Sequence, residues 1–275
     1  MTRMAVAPDT PTPVQRWVRR IARMVGVVRT RPRAGLRVLL YHAVGTDVPG
    51  DRYGMSVTQR AFADQMQWLR DESGCAIVSL ESGAARLARR ELTGTAVAVT
   101  FDDGYRDVLS QAAPVLDRYG IPFTVFVVGS YLERPPTARL FLDTESLREL
   151  AAVPNATIGA HGYTHRPLSR LSDEVLDDEL RAVRQGLAEH LGAPPSGIAY
   201  PHGAVDRRVI DRVKAAGFQL GATSFVGVNQ PNVLPLSLRR TELLASDGVN
   251  EFAGKIRGDY DWYQVRQRLY WPVPA

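Results

Sequence analysis

From residue 36 onward the chain alternates short β-branched or aromatic runs with longer stretches whose apolar residues recur at helical spacing. The runs at 36–41, 76–79, 95–101, 123–128, 157–160, 197–200, 219–223 and 236–240 read as strands. Helices are predicted over 58–71, 82–91, 105–119, 144–152, 172–191, 206–216 and 249–257. The 172–191 stretch shows the local logic. Ser172 stands where a cap belongs, Asp173 and Glu174 meet the positive end of the dipole, and Gly192 with Pro194 ends the helix.

Strand and helix in alternation imply an α/β fold, a parallel sheet with crossover helices that is either left open or closed as a barrel. Seven or eight strands favour barrel-like closure. In both architectures the reacting groups gather at the carboxyl ends of the strands. Those positions hold His42, Asp102, Asp103, Gly129, His161, His165, His202 and Arg240. His190 is the one histidine elsewhere, and near a helix C-terminus it reads as a solvated partner of the dipole.

Ahead of the first strand, residues 14–29 place Val14, Trp17, Val18, Ile21, Val25 and Val28 on one helical face and Arg16, Arg19, Arg20 and Arg23 on the other. Arginines interrupt this stretch and no small-residue cleavage site follows, so it is not read as a cleaved export signal. It suits packing on the domain or a partner chain and, equally, peripheral contact with a membrane surface. The expected location is cytoplasmic, on the inner membrane face if the segment binds lipid. Three regions follow: a basic amphipathic segment at 1–33, one main domain at 34–258, and a tail at 259–275 rich in Tyr and Trp that reads as cover for an apolar surface.

The 275 residues fit one barrel domain, and the formal charge of +5 is concentrated at 16–33, so no nucleic-acid partner is expected. Cys75 is the only cysteine, which excludes an intrachain disulfide and a cysteine zinc cage. No apolar stretch is long enough to span a bilayer.

Three constellations carry candidate chemistry. Thr100-Phe101-Asp102-Asp103-Gly104 ends an apolar run; alone, Asp-Asp-Gly is readily a turn, but paired carboxylates also suit one metal ligand beside one base. His161-Gly-Tyr-Thr-His165 puts two histidines four apart, which on a helical turn project to one side and suit two nitrogens on one zinc. With Asp103 they make a two-His, one-carboxylate set. Ala199-Tyr-Pro-His202-Gly is a tight turn that can also aim a backbone N–H at a developing oxyanion.

Taken jointly, these segments resemble the three leading motifs of the polysaccharide deacetylases of the NodB-homology type, carbohydrate esterase family four, across about residues 36–258. The resemblance implies a distorted (β/α) barrel of about seven parallel strands. It also implies hydrolysis of an N-acetyl group on a sugar or glycan by metal-activated water. Asp102 would be the general base, while Asp103, His161 and His165 would hold a divalent metal, zinc by ligand type. The His202 N–H would help hold the oxyanion. The family's third motif commonly begins with an Arg that orients the base; Ala199 stands there, leaving Arg239 or Arg240 to substitute. No His follows His202, so the family's late acid has no counterpart. Tyr41-His42 resembles a branch that includes exopolysaccharide deacetylases, and His42 is assigned as the acid that protonates the departing amine. A deformylase, an O-acetyl esterase or a non-catalytic sugar-binding relative remain the alternative readings.

Overall fold

Gly35–Tyr41 (β1) is buried at every position, the mark of a strand covered on both faces. The structure, a computed structural model, describes residues 34–137 and 140–261. After β1 come Ala43–Val44 (β2), Ser56–Val57 (β3), helix Gln59–Asp71 (α1), Ala76–Ile77 (β4) and helix Leu80–Ala88 (α2). Then follow Thr95–Phe101 (β5), helix Ala113–Arg118 (α3), Phe123–Val127 (β6), helix Thr144–Ala151 (α4) and Ala156–Ala160 (β7). The chain continues with helix Asp173–Leu191 (α5), Gly197–Ala199 (β8), helix Arg207–Ala215 (α6), Leu220–Val226 (β9), Leu238–Glu242 (β10) and helix Val249–Arg257 (α7).

The strands run in the order β1-β10-β9-β8-β7-β6-β5, and β1 also pairs with β5. The sheet therefore closes into a barrel of seven parallel strands, with β4 appended to the amino-terminal half of β5 through Ala76↔Ala96 and Ile77↔Val97. Closure is uneven: β1 pairs with β5 along its whole length, whereas β7 and β8 share only Ala160↔Ile198, and β9–β10 carries a register shift. Alternation along each strand sorts the core. Leu39, Tyr41, Val97, Val99 and Phe101 pack outward with the helices. Leu36, Val38, Ala96, Ala98, Phe126, Ala199, Ala222 and Leu238 meet inside, together with Leu80 and Leu87 of α2 at the amino-terminal end. A Cβ on Gly83 of α2 would lie 2.7 Å from Leu36 Cδ1, so glycine there lets the helix seat against β1.

Three local expectations need correction. The 105–119 helix is split: Val108–Ala112 forms a wide turn in which Ala113 N–H donates to Val108 O, and α3 follows. Pro114, lacking an N–H and crowding the carbonyl four residues back, is the physical reason. Ser172 sits at the N-cap of α5 but its hydroxyl makes no capping bond. Asp173 of the first turn instead pairs with Arg208 and Arg212 on α6. The 82–91 helix begins earlier, at Leu80, because Ser79 accepts the Ser82 N–H as its cap. The predicted helix at 14–29 lies outside the described residues, as does the tail beyond Asp261. Asp261 itself is held by Arg37 of β1 at 2.9 and 2.8 Å. No helix among the described residues is long and apolar enough to cross a membrane.

Candidate active site

The alternation that fills the barrel also selects what reaches its mouth. Val38 and Leu40 share the parity of His42 on β1, Ala98 and Thr100 that of Asp102 on β5, and Leu238 that of Arg240 on β10. Asp102 still belongs to the ladder, its N–H donating to Tyr41 O at 2.9 Å. Arg240 crosses the interior to reach it, with Nη1 at 2.7 Å from Oδ1 and Nη2 at 2.6 Å from Oδ2. Its Nε donates to Thr223 O at 2.8 Å. Both residues are buried, at 3% and 1% exposure, so this is a desolvated bidentate ion pair. Of the two candidate arginines, Arg240 is therefore the one that pairs with Asp102; Arg239 points the other way, with Nη1 on Val226 O.

Strict alternation would turn Asp103 outward. It adopts φ +70° instead, a left-handed conformation that Asp tolerates better than most residues, and Gly104 follows at +73°. The turn swings its carboxylate to the mouth, where Oδ1 lies 3.3 Å from His161 Nε2 and 3.2 Å from His165 Nε2. One ligand atom from each of the three lies within 4.8 Å of the others.

The His pair is not on a helical turn. His161 directly follows β7, its N–H on Val127 O at 2.8 Å, and the chain reaches His165 through a loop with Gly162 at φ +70° and His165 at +62°. A parallel strand delivers the first histidine and a left-handed turn the second, so the spacing of four arises here without helical geometry.

This set fits a divalent cation. His161 Nδ1 lies 2.9 Å from Ala199 O, which can only accept, so Nδ1 carries the hydrogen and Nε2 directs its lone pair at Asp103. Two imidazole nitrogens facing one carboxylate oxygen need positive charge between them. Protonating both rings would set two imidazoliums with centroids 5.0 Å apart, whereas one cation satisfies all three ligands.

The electrostatics follow from the same contacts. Burial pushes Asp102 up, but the charges of Arg240, His161 and His42 outweigh it and hold the carboxyl below its ordinary value. Burial likewise raises Asp103; when no cation is bound, protonated His161 and His165 donating to it, with the charges of His161 and His42, bring it well below. For His161, burial lowers the pKa and the two aspartates more than reverse that. Burial and the charge of Asp103 both raise the phenols of Tyr105 and Tyr131. Tyr131 closes one side, its ring 4.7 Å from Phe141 and 6.1 Å from His165.

The charge of His42 acts on both aspartates, and its buried Nδ1 has no hydrogen-bond partner among the described residues. His202 lies at φ +57° in the Pro201–Gly203 turn, with Gly203 at +65°; a Cβ on Gly203 would come within 2.9 Å of Ser224. Its exposed ring rests 4.6 Å from that of His165, and Nε2 is 3.1 Å from His165 O. Burial and the neighbouring His165 lower its pKa. His190 is away from the site, 3.4 Å from Arg148 Nη2. Reading by motif missed Glu179, which accepts the N–H groups of Tyr163 and Thr164 between the two histidines. The signal was present: Glu179 is a carboxylate on the stripe Leu176, Leu180, Val183 and Leu187 that α5 buries.

A model of the polysaccharide deacetylase family matches residues 89–221, which span Asp102, Asp103, His161, His165 and His202. Over these residues, just under half of the chain, the protein is similar to the polysaccharide deacetylase family. The Bacillus subtilis protein YxkH, whose name assigns it to the polysaccharide deacetylases, is 24% identical over 200 residues, covering 73% of this chain and 68% of that protein. The Escherichia coli (strain K12) poly-β-1,6-N-acetyl-D-glucosamine N-deacetylase is 29% identical over 263 residues, covering 82% of this chain but only 39% of its own length. Among solved deacetylase-like folds, IcaB from Ammonifex degensii superimposes with a TM-score of 0.69 at 28% identity, covering 82% of this chain and 98% of that one. The family match ends before β10, so Arg240 lies beyond the matched residues.

Proposed function

We propose that the protein is a divalent-metal-dependent N-deacetylase that hydrolyses acetamido groups on a hexosamine glycan, with poly-β-1,6-N-acetylglucosamine as the first substrate to try. The observation that carries this reading is the buried Asp102–Arg240 pair beside the Asp103, His161 and His165 cluster. Asp103, His161 and His165 would hold the cation, and two imidazoles with one carboxylate suit zinc. A cation there supplies Lewis-acid polarisation of the acetyl carbonyl and makes water more acidic.

Asp102, kept ionised and fixed in direction by Arg240, accepts the proton of the attacking water. The backbone N–H at His202 stabilises charge developing on the carbonyl oxygen. His42 protonates the amine as it departs, since an unactivated amide needs a donor and the His202 ring nitrogen is engaged with the His165 carbonyl. The glycan preference rests on the name of the E. coli relative.

Purified full-length protein with a stated metal, incubated with β-1,6-linked N-acetylglucosamine oligomers, is expected to release acetate and free amine in equal amounts. A chelator should abolish release and zinc should restore it. Acetate from an O-acetyl glycan alone points to an esterase, formate from the N-formyl analogue alone to a deformylase, and binding without release to a sugar-binding protein; each outcome sinks the N-deacetylase reading.

A further inference from the structure

The loop joining the two cluster histidines takes left-handed backbone at Gly162 and at His165, and for His165 that conformation is disfavoured unless its surroundings hold it. Two sets of contacts do so. On one side Gly129 N–H donates to Gly162 O at 3.1 Å and Ser130 N–H to Tyr163 O at 2.8 Å. On the other, Oε2 of Glu179 accepts both Tyr163 N–H and Thr164 N–H at 2.9 Å, and Oε1 accepts the Thr164 hydroxyl.

Glu179 is 5% exposed, on the apolar stripe of α5, and no salt bridge to it occurs among the described residues. A buried carboxylate without a counterion is costly unless donors fill its lone pairs, and here all three donors belong to the 161–165 loop. An apolar residue at 179 would pack on α5 as well but would leave the part-buried Tyr163 and Thr164 N–H groups without this acceptor. The carboxylate therefore serves the loop and not the helix.

We propose that Glu179 is a positioning residue of the metal centre: through Tyr163 and Thr164 it sets the turn that aims His165 at Asp103 and His161, so metal affinity depends on it. This rests on the reading of Asp103, His161 and His165 as metal ligands. Gln at 179 keeps one oxygen able to accept both backbone N–H groups, while its amide can donate to the Thr164 hydroxyl acting as acceptor. Gln should thus rescue most of what Ala loses.

The test is zinc affinity of the metal-stripped full chain, by competition with a chromophoric chelator, alongside far-UV circular dichroism and the melting temperature with and without zinc. Wild type should bind zinc and His161→Ala should not. Glu179→Ala should bind about 10–100-fold more weakly and show a smaller zinc-induced rise in melting temperature. Glu179→Gln should fall between it and wild type. A folded Glu179→Ala variant with wild-type affinity overturns the inference. If that variant does not fold, Glu179→Gln and Thr164→Val decide, and wild-type affinity in both overturns it. Wild type that binds no zinc, or His161→Ala that binds as well, overturns the ligand reading and this inference with it; wild-type binding with unaltered variants overturns this inference alone.

Discussion

Asp102 at the mouth of the barrel and Asp107 on its shoulder are buried carboxylates from one short stretch, 3% and 5% exposed, yet they titrate in opposite directions. Asp102 has both oxygens on the Arg240 guanidinium. Asp107 accepts Val44 N–H at 2.8 Å on Oδ2, and its Oδ1 has no hydrogen-bond partner among the described residues. Burial pushes both up. At Asp102 the surrounding positive charge outweighs it; at Asp107 the neutral donors of Thr46, Val44 and Val108 offset only part, and the pKa is pushed up to about 6. A facing full charge can cancel desolvation where hydrogen-bond dipoles cannot. The barrel thus keeps its proposed base ionised well into the acid range, while a nearby carboxylate that secures the chain after His42 takes up its proton near pH 6.

Breaking the favoured pair should have the largest effect. Arg240→Met or Asp102→Asn leaves one buried charge alone, and each is expected to cost about 3–5 kcal/mol in urea unfolding. The double variant should cost clearly less than their sum, and additive losses would count against the pairing. In folded, metal-replete protein, Asp102→Asn should lower turnover by about 10²–10⁴ without changing metal content. Near wild-type turnover would remove Asp102 as the base.

His42 tests whether the mouth needs a second proton carrier beside Asp102. His42→Ala should lower amide turnover by about 10²–10⁴ at unchanged metal content, and less for an acetyl ester with a good leaving group. Equal losses on both substrates reject the acid role and move the search to His202.

The shoulder should respond most gently and with the opposite pH dependence. Because the folded Asp107 pKa is raised to about 6, its contribution is fully present below the ordinary carboxylate value and is lost as pH rises through about 6. Asp107→Asn keeps an oxygen for Val44 N–H and removes the charge. It should therefore gain stability relative to wild type between pH 4 and pH 8, by about 2–3 kcal/mol at most. A pH-independent difference in urea midpoints, at fixed metal content, contradicts the assignment. Asp102 contributes with the reverse sign, its stabilisation present at neutral pH and lost as pH falls through its depressed value.

Period and local chemistry carried much of the fold and site into the sequence. The runs at 95–101 and 249–257 coincide with β5 and α7, because alternation and helical spacing are local properties of the chain. The same alternation put His42, Asp102 and His161 just past strand ends, whereas Arg240, expected to end its strand, lies at the centre of β10; the Asp-Asp-Gly and His-x-x-x-His segments hold the residues that cluster at the barrel mouth. What the chain could not declare locally was who meets whom. Asp102 and Arg240 become partners only because β1 pairs with both β5 and β10, closing the sheet. His165 reaches the cluster through a left-handed turn, not a helix, and Glu179 finds that turn only when α5 packs beside β7. Such contacts depend on register and closure across the whole barrel, and desolvation at those contacts, absent from any single residue, decides which carboxylate stays charged.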